Sequence, residues 1–281
     1  MNVVESLREK QAVLEAELGR LLAGDGSGLY DVMRYAVLGG GKRFRPLLLL
    51  ATGETFGSAR DVLLPYAGAV ELIHSYSLIH DDLPAMDNDD VRRGKPSCHK
   101  AFGEGPALLA GDGLLSLAFE VLSRAPRTPG DPAGKDLAIQ DIAAAAGVEG
   151  MIKGQWLDIR PTPASTGEAA FLDMIRRKTG ALILASVRAG AILAGASASG
   201  LEAVTRYGTA VGLAFQLKDD LADAGTSGSA EAVNAVTVLG LAGARSRSEQ
   251  YVSDALRALG DVGVPIDELR FLAESLRPGK G

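Results

Sequence analysis

The chain has 281 residues and is 47% hydrophobic, enough for one large core or two modest domains. Its formal net charge is −6, with 35 acidic residues against 29 basic ones, which excludes the electrostatic footprint of a nucleic-acid binder. A single cysteine, Cys98, excludes an intrachain disulfide and suits a reducing cytoplasm.

Residues 1–5 lack the basic start and apolar core of a signal peptide. Aromatics make up 5% of the chain, alanine and leucine abound, and alternating β-branched runs are almost absent, so the pattern predicts helices. In chain order they fall at 3–22, 28–38, 44–57, 62–83, 104–124, 135–158, 168–179, 181–197, 200–223, 240–259 and 265–276. Glycine and proline punctuate the breaks at 39–41, 126–134, 161–163 and 225–228. None of these loops is long enough for a domain linker, and the prediction is one all-α domain over residues 1–281. The best apolar run, 181–194, is interrupted by Arg188 and falls short of the ~18 residues that read as a membrane span. A soluble cytoplasmic protein with no membrane insertion is expected.

Two aspartate clusters carry the chemistry. Asp81, Asp82 and Asp87 form D-D-x-x-x-x-D, and Asp219, Asp220 and Asp223 form D-D-x-x-D. Two carboxylates 4 Å apart repel by about 4 kcal/mol at an effective dielectric near 20. A chain that accepts this twice is expected to hold cations between the clusters, and hard oxygen donors in small number suit Mg²⁺. In the second cluster Asp219 and Asp223 share a helix face, with Asp220 beside them and Gln216 one turn before it. The residues before them, 211–214, are apolar or small, which puts these carboxylates at the mouth of an interior cavity. Acidic groups are also unfavourable at a helix C-terminus, which argues against mere surface decoration. In the first cluster Pro84 must loosen or end the helix, and that can bring Asp87 back toward Asp81. Its bland alternative is a solvated acidic loop with Asn88, Asp89 and Asp90.

A separate basic set lies elsewhere. Gly39-Gly40-Gly41 leads into Lys42, Arg43 and Arg45; Arg92 and Arg93 follow the first cluster; Lys178 and Thr179 follow Arg176 and Arg177. Arginine forks and glycine-exposed amides both suit phosphate. The combination predicts two anion sites, one built on Mg²⁺ and one on Lys/Arg alone. His74 lies two helical turns before Asp81 on the same face; its bland alternative is a hydrogen-bonded core histidine. Trp156 is expected in the core or a pocket wall, and Cys98 is expected to be inert.

The stretch from Glu71 through Asp81-Asp82 and Asp87 to Arg92-Arg93-Gly94-Lys95-Pro96 resembles the first aspartate-rich motif of the trans-polyprenyl diphosphate synthases. Gly40-Gly41-Lys42-Arg43-Phe44-Arg45-Pro46 resembles their basic motif, and Phe215-Gln216-Leu217-Lys218-Asp219-Asp220-Leu221-Ala222-Asp223 their second aspartate-rich motif. His99 to Glu104 and Leu109-Ala110-Gly111-Asp112 match in order and spacing, so the likeness runs from about residue 28 to 223, nearest the bacterial farnesyl diphosphate-forming branch.

That resemblance implies an isoprenoid synthase helical bundle around a central cavity, a homodimer, and three Mg²⁺ ions bound with substrate diphosphate. It implies that Asp81, Asp82, Asp87, Asp219, Asp220 and Asp223 hold the metal. Arg92, Lys178 and Lys218 would add charge to the leaving diphosphate of an allylic substrate. Isopentenyl diphosphate would lie on Lys42, Arg45, His74 and Arg93, with Thr179 and Gln216 near the reacting carbons. Tyr76 and Ser77, five and four residues before Asp81, would set product length, and the bulk of Tyr76 implies a stop at fifteen carbons. Ten- and twenty-carbon products, a weakly active or regulatory subunit and a terpene cyclase are the alternatives; the complete second anion set argues against the cyclase. The chain departs from the family after the second cluster: residues 224–240 contain no Lys, Arg or Pro, so one customary diphosphate-binding lysine is missing and the loop is shorter.

Overall fold

A computed structural model describes residues 2–127, 132–159, 166–224 and 233–279. The predicted breaks at 161–163 and 225–228, and residues 225–232 of the Lys-free segment 224–240, lie outside them.

Among the described residues, thirteen α-helices follow in order: α1 (Val3–Leu21), α2 (Gly28–Val37), α3 (Phe44–Thr55), α4 (Arg60–Asp81), α5 (Cys98–Phe102), α6 (Glu104–Arg124), α7 (Pro132–Ala146), α8 (Lys153–Asp158), α9 (Glu168–Ile175), α10 (Ala181–Leu193), α11 (Ala198–Ala222), α12 (Ala235–Leu259) and α13 (Asp267–Glu274). A two-stranded antiparallel ribbon, β1 (Val91–Arg92) and β2 (Lys95–Pro96), sits between α4 and α5.

Local chemistry fixes several ends. Asn2 and Glu5 form a capping box on α1, and Asn234 and Thr237 form one on α12. Burial, more than propensity, then decides which helices lie inside. All of 44–53 in α3 is buried, including four consecutive leucines, Leu47 to Leu50. Each buried leucine contributes roughly 1.5–3 kcal/mol, against propensity differences of a few tenths. α10 is similarly apolar all round and packs on α3, α7 and α11. One core region joins α1, α2, α4, α6, α7 and α10; a second joins α3, α10, α11, α12 and α13.

Three predicted elements change. The helix predicted over 135–158 is interrupted by a wide turn, Val148–Ile152, with Gly150 outside helical geometry at φ −97°, ψ −119°. The break predicted near 180 is instead a second wide turn, Arg176–Gly180, through which the chain runs on into α10. α12 begins at Ala235, earlier than the predicted 240, and kinks at Gly240. Two helices are long and largely apolar, although charged residues interrupt each. By length and composition α4 and α6 could each cross a membrane, with mean hydropathy of 1.3 and 1.4 over their best windows. The α4 window is 67% buried inside the fold, as a core helix should be; that of α6 is 39% buried.

Candidate active site

α4 carries the first cluster to its C-terminal end: Asp81 is its last residue and Asp82 its cap. Beyond Pro84 the backbone folds back, and the Asp87 N–H donates to the Asp81 carbonyl at 2.8 Å. Six residues of separation thus close into one rim. Asp82 turns elsewhere. It is 2% exposed, and Arg92 grips it through Nε at 2.9 Å and through Nη2. Asp82 is therefore placed to anchor Arg92, while Asp81 and Asp87 face Lys178. Arg92 also reaches Asp89 at 3.0 Å.

The wide turn Arg176–Gly180 presents Lys178 and Thr179 in opposite roles. Lys178 Nζ donates to Asp158 Oδ2 at 2.5 Å. Burial works against this ammonium, but Asp158, Asp81 and Asp87 outweigh it and hold its pKa above the ordinary range. The partner group pays the reverse penalty: burial pushes Asp81 from 3.8 up to about 6, Asp87 and Asp158 add to the rise, and Lys178 and Arg92 oppose it. Asp87 is raised for the same first reason, burial. Lys178 is brought here by a close crossing. A Cβ on Gly154 of α8 would stand 2.5 Å from the Lys178 Cα and nearer still to its amide nitrogen. Only a residue without a side chain lets α8 lie against this turn.

Thr179 faces the second cluster. Its Oγ1 donates to Gln216 Oε1 at 2.6 Å, and Gln216 Nε2 donates to Asp220 Oδ1 at 2.7 Å. Asp220 Oδ2 accepts from the Ala235 N–H at 2.7 Å, which also satisfies a donor at the start of α12. Burial raises the Asp220 pKa against these bonds. Together these groups line a cleft of ≈ 310 Å³ of empty space, open to solvent, bounded by Asp158, Phe171, Lys178, Thr179, Gln216 and Asp220. Asp219 leaves that chain and pairs with Lys42 at 3.1 Å. Asp223 caps α11 and is exposed.

The basic cleft lies on the far side of Asp219. Lys42 Nζ and the Arg45 guanidinium stand 5.6 and 5.5 Å from the centroid of the Phe215 ring. Arg45 is buried, with Nη1 3.4 Å from His74 Nε2. Burial lowers Arg45 to about 10, which leaves it charged at neutral pH. Burial, then Arg45, Arg93, Arg43 and Arg92, hold His74 well below its ordinary 6.5, so it is a neutral imidazole. Arg93 lies flush on the turn backbone, where a Cβ on Gly41 (φ +142°) would come within 2.9 Å of its Nη2.

The structure thus brings together Asp81, Asp87, Lys178, Thr179, Gln216 and Asp220 on one side, and Lys42, Arg45, His74 and Arg93 on the other. Lys218 is not with them: its Nζ donates to the Ser275 carbonyl at 2.6 Å. Tyr76 is buried and packs edge-on against His80, ring centroids 5.7 Å apart; burial and then Asp81 raise its hydroxyl. Ser77 Oγ bonds back to the His74 carbonyl at 2.9 Å. Two expectations are corrected or completed by burial. Trp156 is 53% exposed, not in the core or a pocket wall. Cys98 is a buried free thiol whose pKa burial pushes to about 11, which fits an inert group. Asp158 is the functional residue that sequence reasoning missed; its signal was a lone carboxylate closing the Gly154–Gln155–Trp156–Leu157 helix, legible only once Lys178 lies beside it.

The donor set fits Mg²⁺. Among the described residues no group of three or more His, Cys, Asp or Glu side chains is gathered closely enough to hold an ion. Carboxylates offered in ones and twos suit a cation that keeps waters and takes other ligands from substrate phosphate, and they do not suit Zn²⁺, which prefers a closed nitrogen and sulfur cage.

Known proteins resemble this chain over most of its length. The family model described as polyprenyl synthetase matches residues 27–234. The farnesyl diphosphate synthase of Geobacillus stearothermophilus is 39% identical, covering 98% of this chain and 97% of that protein. That of Escherichia coli (strain K12) is 41% identical, over 87% of each chain. The crystal structure of an FPP/GFPP synthase from Zymomonas mobilis, in its apo form, superposes with a TM-score of 0.87 at 37% identity, covering 97% of each chain.

Proposed function

The chain belongs to the polyprenyl synthetase family, and from that premise we propose that it joins isopentenyl diphosphate head-to-tail to dimethylallyl and then geranyl diphosphate, forming farnesyl diphosphate and releasing diphosphate. One observation carries this reading: two anion sites of different chemistry meet at the Lys42–Asp219 pair. One offers carboxylates with a single partly buried lysine, Lys178; the other offers Lys42, Arg45, His74 and Arg93 without a carboxylate among its named groups. A one-diphosphate reaction has no use for the second.

Enzymes of this family generally depend on Mg²⁺. Here Asp81, Asp87, Asp219, Asp220 and Asp223 would hold it, as up to three ions, with Asp82 acting through Arg92. Bound there, Mg²⁺ would stabilise the charge of departing diphosphate. The residues do the rest. Lys178 donates to the allylic diphosphate and neutralises charge as the C–O bond breaks. Thr179 and Gln216, fixed by their hydrogen bond, present oxygens beside the allylic carbon as it becomes cationic. Lys42, Arg45 and Arg93 hold the second diphosphate, and neutral His74 can donate to it without adding charge. The isopentenyl double bond then attacks the allylic carbon, and the proton lost from isopentenyl passes to the released diphosphate. Apolar walls keep water from the cation.

We assign Tyr76 the floor of the growing chain. Purified protein given Mg²⁺, isopentenyl diphosphate and geranyl diphosphate should yield mainly a fifteen-carbon alcohol after hydrolysis, with none when EDTA is present. Tyr76→Ala should shift the product to twenty carbons or more. No condensation with any allylic primer would remove the enzyme reading; an unchanged product from Tyr76→Ala would remove only the floor.

The whole chain, 1–281, acts as one cytoplasmic domain in this reading, with a second copy as partner. α6, α7 and the turn after them expose Leu108, Leu109, Leu137, Val148 and Ile152, each close to half exposed or more. Large apolar side chains left exposed suit a self-complementary interface. Sedimentation equilibrium should return twice the 29.1 kDa chain mass; a monomer at micromolar concentration would refute it.

A further inference from the structure

Behind the basic cleft lies a carboxylate that the mechanism above does not use. Glu71, on α4 three residues before His74, is 1% exposed. Its Oε1 accepts from Arg43 Nη1 at 2.6 Å and stands 4.0 Å from Arg93 Nη2. Its Oε2 is buried and has no hydrogen-bond partner, and the same holds for Arg45 Nε. A buried charge is not retained without compensation, so the groups around Glu71 matter.

Those groups are arginines. Arg43 sits in the left-handed region at φ +48°, which bulky residues rarely adopt. The basic turn therefore splits its three cations. Lys42 is exposed toward Asp219 and Arg45 lies beside His74. The Arg43 side chain, by contrast, is 0% exposed and is held by Glu15 at 2.7 Å, the Val37 carbonyl at 2.6 Å and Glu71. With its donors so occupied, Arg43 is unavailable to a ligand and acts as a pin on Glu71. Glu71 in turn is the strongest charge favouring the ionised forms of both Arg45 and Arg93 against their burial. A single carboxylate thus serves two guanidinium groups that would otherwise repel each other.

We infer that Glu71, pinned by Arg43, is the positioning residue of the second anion cleft: its carboxylate holds Arg45 and Arg93 together so that they receive one diphosphate. The inference rests on the reading of that cleft as the isopentenyl diphosphate site. It assigns no contact with substrate to Glu71 or Arg43. A neutral isostere should leave the two guanidinium groups to separate, which weakens the metal-free diphosphate site and spares the allylic one.

Steady-state kinetics of Glu71→Gln, with both substrates varied in turn, tests this. KM for isopentenyl diphosphate should rise at least tenfold while KM for geranyl diphosphate stays within about twofold. Should Glu71→Gln fail to fold, Glu71→Asp keeps the charge and moves it by one methylene; the same one-sided rise in KM is then expected, smaller in size. An unchanged KM for isopentenyl diphosphate, or an equal rise in both values, would mean that the Arg43–Glu71 pair serves only the fold. Wild-type protein that forms no prenyl product would refute the reading of the cleft itself, whereas active wild type with an indifferent Glu71 variant refutes only the positioning role.

Discussion

Asp81→Asn is expected to lower kcat for farnesyl diphosphate formation by about 10³-fold, roughly 4 kcal/mol of transition-state stabilisation. Asparagine keeps the volume and removes the charge that burial, Asp87 and Asp158 already strain, and that Lys178 partly answers. The same environment gives a pH signature in the wild type. A free aspartate titrates near 3.8, and Asp81 in the fold near 6. The folded state therefore binds the extra proton between those values. What this group contributes to stability is fully present below about 4 and is lost as pH rises through about 6. A metal ion needs the ionised form, so apparent Mg²⁺ affinity should fall about tenfold per pH unit below 6 for one displaced proton. At pH 8 in EDTA, Asp81→Asn should melt at a higher temperature than wild type, because the desolvated charge is gone. Activity within tenfold of wild type, or no gain in the metal-free melting temperature, would remove Asp81 from the centre of the site.

Gly154→Ala is the second large effect, with kcat down by about 10²-fold and stability lower by about 1–3 kcal/mol. The new methyl meets the backbone of Lys178, not the tip of a flexible side chain, so either α8 or the turn Arg176–Gly180 must move. A displacement of about 1 Å is enough to cost 10²-fold where groups are positioned for reaction. Both ends of the Lys178–Asp158 bond lie on the segments that would separate. Activity assays beside urea denaturation will distinguish the outcomes. Loss of stability with unchanged kcat would show that the crossing supports the fold without setting the lysine.

Much of this was legible from local pattern. The starts of α1, α2, α3, α6 and α9 fall at the residues where the helical pattern of the sequence predicts them. Pro84 was enough to expect that Asp87 returns toward Asp81, because a missing donor forces the chain out of helical register, and the 2.8 Å bond between them is that return. Gln216 and Asp220 lie one helical turn apart, and their hydrogen bond follows from spacing. The wide turns at Val148–Ile152 and Arg176–Gly180 were not legible. An alanine-rich stretch has helical propensity through both, and the reason to loosen there is the crossing of Gly154 on Lys178, a contact between segments 24 residues apart in sequence. Nor did composition place Trp156 outward or Lys218 on the Ser275 carbonyl; each depends on which neighbour the helix meets.

By itself the sequence determined that the chain is helical, that its carboxylates come in two clusters, and that a separate basic set accompanies them, because periodicity, backbone chemistry and charge are local properties. Only the tertiary structure decided how identical residues divide their work. Asp81 faces Lys178 while Asp82 clasps Arg92, and Arg45 lines the cleft while Arg43 is buried behind it on Glu71. Adjacent residues of the same type have the same intrinsic chemistry. What separates them is burial and the distance to the nearest opposite charge, and both are set by segments far away in the chain.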